Sequence, residues 1–389
     1  MSAAPQLLRK PENTATPRLF VAATRQNDGK TTASLGLFAA LQQHLPRVGY
    51  IKPIGQRFVS YENQLVDEDS LLFTKTFNIR TPIQSMSPVV IDGSFTRRYL
   101  EDPGSLYPQL VDLMVRAFDR SAYEQDAIII EGSGHAGVGA ICDLSNAQVA
   151  RILGAKAVIV SRGGIGKPVD EIALNKSLFD SHGVEVIGAI LNKVQPRKLE
   201  EIRHYTGQAL RRIGVPLLGV IPEKASLAYP NLSQVAEVVR GRWLNAQSSG
   251  QYNRILNVVV GAMTATSLMD YVRPGYLILT PGDREDVLLL AIAASSISGK
   301  APLAGIILTR NILPSHHIMD MINQTEIPVV ISPEESYTVA SRINSMTVKT
   351  LPRDADKIPV IKQMIMDHVD TAAILEGLKV TASASDGGT

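Results

Sequence analysis

Phe20-Val21-Ala22-Ala23-Thr24-Arg25-Gln26-Asn27-Asp28-Gly29-Lys30-Thr31-Thr32 is the stretch on which the fold turns. It begins as an apolar strand, passes through a polar loop and ends in Gly-Lys-Thr-Thr. The helix-forming run Ser34-Leu35-Gly36-Leu37-Phe38-Ala39-Ala40-Leu41 follows at once. Strand, loop, Gly-Lys-Thr and helix in this order describe a phosphate-binding loop. N–H groups at a helix start lack partners within the helix, and the helix dipole favours an anion there. The loop therefore offers Asn27, Asp28, Gly29, Lys30, Thr31 and Thr32 to a nucleotide. Lys30 is the cation for the β- and γ-phosphates, and the Thr31 hydroxyl is a ligand for Mg²⁺. Thr24 stands where the standard pattern has a Gly, so the loop is a variant.

Outward from the loop, Arg47 to Gln56 reads as a short buried strand ending in Lys52-Pro53. That is where an open α/β sheet places its ligand-binding loops. Asp67-Glu68-Asp69 opens a helix, and acidic residues suit a helix N-terminus. Residues 82–96 are irregular by composition, and 107–123 form an amphipathic helix. Ala127-Ile128-Ile129-Ile130 is a fully apolar strand of the parallel-sheet kind, closed by Glu131-Gly132-Ser133-Gly134. A carboxylate there is placed to serve the metal or the water of a P-loop site. Strands at 157–161, 184–191 and 216–222 alternate with helices at 169–182 and 199–213. Arg162 to Pro168 is glycine-rich but has Pro168 where a phosphate loop needs a hydroxyl, so it reads as a flexible loop over the site or as a plain strand-to-helix connection.

The alternation predicts an α/β fold: a P-loop, doubly wound, mostly parallel sheet followed by a second, smaller α/β domain. The expected boundaries are a disordered lead-in at 1–17, the P-loop domain at 18–244 and a linker at 245–253. The second domain then runs over 254–375, with a flexible tail at 376–389. Strands of the second block are expected at 255–261, 276–280, 304–308 and 329–332.

The 389 residues suffice for two or three cores, and 45% hydrophobic with 20% charged residues is globular composition. A net charge of +2 gives no reason to expect nucleic acid or an acidic membrane as partner. Cys142 is the single cysteine, so no internal disulfide forms and a reducing, cytoplasmic setting is expected. No apolar run has the length of a membrane span.

Taken together, these motifs resemble the dethiobiotin synthetase fold family, which includes the cobyrinic acid a,c-diamide synthases. The resemblance covers roughly residues 19–239. It implies that Lys52 faces substrate and phosphates, and that Lys30 and Lys52 are the catalytic cations. It also implies that Asp69 and Glu131 join Thr31 around the metal, that Asn192 reads the base, and that Pro222 flanks the base pocket. Ala23 stands where dethiobiotin synthetases usually have Gly, Gln56 where a small hydroxyl residue contacts substrate, and His135 interrupts a Gly-Gly step. Gly282-Asp283-Arg284-Glu285-Asp286 and the segment 333–342 resemble the DRTGG domain. The tandem resembles the N-terminal half of long phosphate acetyltransferases, here expected as a stand-alone chain without the acetyltransferase domain. The cofactors so implied are ATP and Mg²⁺, the partners a small-molecule substrate and a second copy in a homodimer.

Three functions fit the sequence. One is an ATP-dependent synthetase or ligase that activates a carboxylate or carbamate by phosphoryl transfer. The second is an ATP-sensing regulatory protein. The third, a scaffold with an empty loop, rests only on Ala23 and Thr24.

Overall fold

The computed structural model describes residues 8–298 and 303–380. The chain divides into two units. One combines the chain up to Lys224 with the chain from Thr350 onward, and the other is Ala225–Lys349.

Six strands carry the first unit: β1 (Arg18–Ala23), β2 (Val48–Ile51), β3 (Ala127–Glu131), β4 (Lys156–Arg162), β5 (Val186–Val194) and β6 (Leu217–Pro222). They lie in the order β6-β5-β4-β1-β3-β2, and every pairing is parallel. All five residues of β3 are buried, as are all of β1 except Arg18. Helices cover both faces of such a sheet, so its strands are continuous apolar runs, not alternating ones. The connecting helices are α1 (Lys30–Gln42), α2 (Glu68–Phe77), α3 (Pro103–Ala122), α4 (Gly166–Ser181) and α5 (Leu199–Arg212). After β1 the chain moves outward to β2, fills the gap with β3, then crosses to β4 on the other side. The order reverses at β1, and the loops leaving β1, β3 and β4 border the crevice where α/β sheets bind ligands.

Between β2 and α3 the structure holds more than was expected. A hairpin pairs Phe58–Tyr61 with Gln64–Asp67. The stretch expected to be irregular contains helices at Ile83–Met86 and Gly93–Glu101 and a strand at Val89–Val90.

Both ends of the unit differ from expectation. Residues 8–17, expected as disordered lead-in, are fastened to α3. The Glu12 and Asn13 N–H groups donate to the Asp119 carboxylate at 3.1 and 3.0 Å, and the Asn13 amide donates to Ala122 O at 3.0 Å. Residues 1–7 lie outside the described residues. At the other end, helices α6 (Lys357–His368) and α7 (Thr371–Leu378) belong with the P-loop unit, not with the second domain to which 350–375 was assigned. The apolar face of α6, with Ile361, Met364 and Ile365 buried, lies on α1. A Cβ on Gly36 of α1 would stand 2.0 Å from Ile365 Cγ1, so glycine permits the contact. Val369 bridges Gly219 of edge strand β6, the Asp370 N–H donates to Leu218 O at 2.7 Å, and Lys156 Nζ donates to Gly377 O at 2.8 Å. Of the expected tail, 376–380 includes the end of α7, and 381–389 lies outside the described residues.

The second unit is a smaller α/β body. Its strands are β7 (Arg242–Trp243), β8 (Asn257–Val260), β9 (Tyr276–Pro281), β10 (Leu303–Thr309) and β11 (Val329–Ile331), in the order β7-β11-β10-β9-β8. Only β7 is antiparallel to its neighbour. The expected linker at 245–253 is part of this body. The Asn245 amide bridges Ile327 O at 3.0 Å and the Val329 N–H at 2.7 Å, and Gln247–Gly250 forms a helical turn. Among the described residues no helix is long and apolar enough to cross a membrane.

Candidate nucleotide site

The loop after β1 is held from several sides. The Ala23 N–H donates to Gly134 O at 2.9 Å, and the Thr24 N–H to Val160 O at 2.9 Å. The Thr24 hydroxyl, in place of the usual glycine, donates to Asp28 Oδ2 at 2.8 Å and lies 3.0 Å from Ser161 Oγ. It ties the start of the loop to its end. Burial raises the Asp28 carboxyl above its ordinary value, although the Thr24 hydrogen bond opposes this. Asn27 and Gly29 have φ of 67° and 90°, the left-handed region. At Gly29 a side chain is excluded twice over, since a Cβ would also stand 2.1 Å from Asn192 Nδ2. The first turn bond of α1 runs from the Ala33 N–H to Gly29 O at 2.9 Å, so Lys30, Thr31 and Thr32 present N–H groups with no acceptor inside the helix.

Asn192, at the end of β5, donates its amide to Asp28 O at 2.9 Å and accepts the Lys193 N–H at 2.9 Å. Lys193 Nζ donates to Asn27 O at 2.6 Å. In this state the asparagine expected at a base braces the phosphate loop. Pro222 closes β6, next to β5 in the sheet.

Behind the loop lies a buried charge cluster. Glu131, fully buried at the end of β3, accepts hydrogen bonds from Lys30 Nζ, Thr31 Oγ1 (2.8 Å) and Tyr50 Oη (3.1 Å). Lys52 Nζ is gripped by Asp69 and by Asp67 Oδ1 at 2.9 Å. Burial lowers the Lys30 ammonium below its ordinary value against the attraction of Glu131, and the Lys52 charge lowers it further. Burial also pulls Lys52 down, but Asp69, Asp67 and Glu131 outweigh it and hold that ammonium above its ordinary value. The Tyr50 hydroxyl is pushed well up by burial and then by the same carboxylates. Asp67 is raised by burial, with Lys52 opposing.

The structure thus brings Lys30, Thr31, Lys52, Asp69 and Glu131 together although up to 101 positions separate them. It adds Tyr50 and Asp67, which sequence reasoning did not place in the site. Asp67 carried a visible signal as the start of a helix, and it does cap α2 by accepting the Asp69 N–H at 2.9 Å. With all five groups ionised, three carboxylates face two lysines, and among the described residues buried Asp67 Oδ2 has no hydrogen-bond partner. One hydroxyl, carboxylates and an excess negative charge fit a hard divalent cation. Each carboxylate is held by other side chains, and among the described residues no three of His, Cys, Asp and Glu form a ready metal-binding group.

The chain matches the AAA domain family over residues 17–231 and the DRTGG domain family over residues 234–346. It is 27% identical over 368 residues to the phosphate acetyltransferase of Pseudomonas putida, covering 91% of this chain and 50% of that one. To the phosphate acetyltransferase of Pseudomonas aeruginosa it is 28% identical over 369 residues, covering 90% and 50%. The chain spans about half the length of these curated relatives. Among solved structures, the CBS and DRTGG domains of the regulatory region of Clostridium perfringens pyrophosphatase match at a TM-score of 0.26. Their identity is 16%, with 46% of this chain and 86% of that one covered. The expected tandem of P-loop and DRTGG domains, related to phosphate acetyltransferases, is present.

Proposed function

The chain belongs to the AAA domain family, and on that premise we propose that its P-loop unit binds ATP with Mg²⁺ as a regulatory module. In the curated relatives it would correspond to a nucleotide-responsive half. The observation that carries this reading is the state of Lys52. A synthetase of this type needs that ammonium to neutralise an anionic substrate and the phosphoryl group moving to it. Here Lys52 is enclosed by Asp67 and Asp69, both buried, while the phosphate loop keeps its Gly29, Lys30 and Thr31.

On this reading the N–H groups of Gly29, Lys30, Thr31 and Thr32 cradle phosphate oxygens, with Asn27 and Asp28 shaping the loop. Lys30 exchanges Glu131 for the β- and γ-phosphates. Thr31, Asp69 and Glu131 would hold Mg²⁺, some through water, and Asn192 and Pro222 border the base. Bound Mg²⁺ supplies positive charge between the phosphates and the carboxylates.

A second reading, an ATP-dependent synthetase acting on a carboxylate or carbamate, is favoured by the electrostatic coupling of Lys30 with Lys52. Calorimetric titration of the full chain with ATP and Mg²⁺, alongside assays of ADP release with candidate acids and amines, tests both. Saturable binding without acid-stimulated turnover is the expected result. Phosphoryl transfer to an acid would establish the synthetase, and absence of ATP binding would remove both readings.

A further inference from the structure

Asp67 carries more charge than its structural duty requires. It ends the hairpin strand Gln64–Asp67 and caps α2, its Oδ1 accepting the Asp69 N–H at 2.9 Å and lying 2.9 Å from Lys52 Nζ. Its own N–H donates to Ser87 Oγ at 3.1 Å. The side chain is wholly buried, yet among the described residues Oδ2 has no hydrogen-bond partner. Gly55 makes room for that oxygen, since a Cβ there would stand 2.8 Å from it. Asn or Ser caps a helix as well as Asp does. Either would spare the fold a buried anionic oxygen without a donor.

We propose that Asp67 makes nucleotide binding at this site depend on a divalent cation, by closing a two-carboxylate grip on Lys52 that keeps it from the terminal phosphate. The inference rests on the ATP-binding reading. Among the described residues, Lys52 is the one cation besides Lys30 in the cluster behind the loop. With Asp67 and Asp69 both on Lys52, and Glu131 on Lys30, the cluster offers no surplus positive charge. A terminal phosphate entering alone adds negative charge to a buried group that already has an excess of it. Repulsion between such charges is strong where water is excluded. Nucleotide arriving with a divalent cation avoids that repulsion. Asp67 is therefore a positioning residue: it acts on the phosphates through Lys52.

The test is calorimetric titration of the full chain with ATP in Mg²⁺ and again in excess EDTA, read as the ratio of the two affinities. The wild-type chain is expected to bind ATP far more weakly in EDTA. Asp67→Asn keeps a cap acceptor for the Asp69 N–H and removes one charge, so the ratio should shrink by about tenfold or more. ADP, which lacks the terminal phosphate, should show a smaller change. The double variant Asp67→Asn with Lys52→Met should return the ratio towards the wild-type value, because the effect runs through Lys52. A structural role alone would lower both affinities together and leave the ratio where it was, and that result overturns the proposal. Asp67→Ser gives the same comparison if the Asn variant unfolds. Equal affinity of the wild-type chain for ATP in Mg²⁺ and in EDTA overturns the proposal without any variant. Failure to bind ATP even in Mg²⁺ overturns the ATP reading itself, and this inference with it.

Discussion

Lys30 and Glu131 hold one another in the present state, and an anion entering the loop must take the ammonium from the carboxylate. Lys30→Ala should weaken Mg²⁺-ATP binding by roughly 1.5–3 kcal/mol for each charge-assisted hydrogen bond that the ammonium makes to phosphate. Among the described residues it also leaves Glu131 with Thr31 and Tyr50 as its donors, so the melting temperature should fall, and calorimetry must be run below the new midpoint. Unchanged affinity in a folded variant would remove the phosphate-loop assignment. Asp69→Asn and Glu131→Gln should behave differently from one another in stability but alike in their metal response. Each should weaken ATP binding in Mg²⁺ and leave binding in EDTA equal or tighter, because a negative charge facing the phosphates has gone. Equal losses in both conditions would make the two carboxylates structural. Most of these residues were legible in the sequence, since Gly29-Lys30-Thr31 opens the helix that follows apolar strand β1, Lys52 directly follows β2 and Glu131 ends β3, and the loops leaving one sheet edge converge. Asp67 and the Tyr50 hydroxyl were not legible. Tyr50 lies within the apolar strand β2 and reads as core, and it does stack on Phe73, with ring centroids 3.7 Å apart. Asp67 arrives through a hairpin whose strands are largely exposed or half-buried, so no hydrophobic alternation announces it.

Among the elements, α1 links the loop to the C-terminal helices. Gly→Ala within a helix ordinarily stabilises by about 0.5–1 kcal/mol. At Gly36 the new methyl would meet Ile365 at 2.0 Å, and overpacking costs typically about 1–3 kcal/mol. Overpacking wins, so Gly36→Ala should lower the midpoint of denaturant unfolding, and Gly36→Val should lower it further. Adding Ile365→Ala to Gly36→Ala should cost less than Ile365→Ala does alone. Additivity of the two changes would mean that α6 does not sit on Gly36. The six-stranded sheet was legible because each parallel strand is built on a short apolar run. The return of α6 was not, because an amphipathic helix shows that it has a partner and not which one. Gly36, Gly219 and Gly377 stand at close approaches of this segment to α1, β6 and β5, and they were the available signal.

At the scale of the whole molecule, the second unit is inserted into the first and not appended to it. Composition misplaced the boundary because Asn245 to Gln251 is polar and small, like a linker, yet its amide and backbone groups bond within the second body. Ending the chain at Lys349 removes Ile361, Met364, Ile365, Ile374, Leu375 and Leu378, all buried. Full burial is worth about 1.5–3 kcal/mol for each such side chain before ordering costs, against about 5–15 kcal/mol for an entire domain. The shortened chain should therefore lose its cooperative ATP-responsive melting transition, and a transition at the full-length temperature would refute the insertion. The same arrangement sets a timetable for birth on the ribosome. Lys224 and the end of α7 are separated by 154 positions, roughly 8–30 s of translation at about 5–20 residues per second. Throughout that interval the nascent P-loop body has an uncovered helix face on α1 and an unguarded strand edge at β6. A holdase that recognises such surfaces has its longest opportunity here, and slow codons within 225–349 would lengthen it.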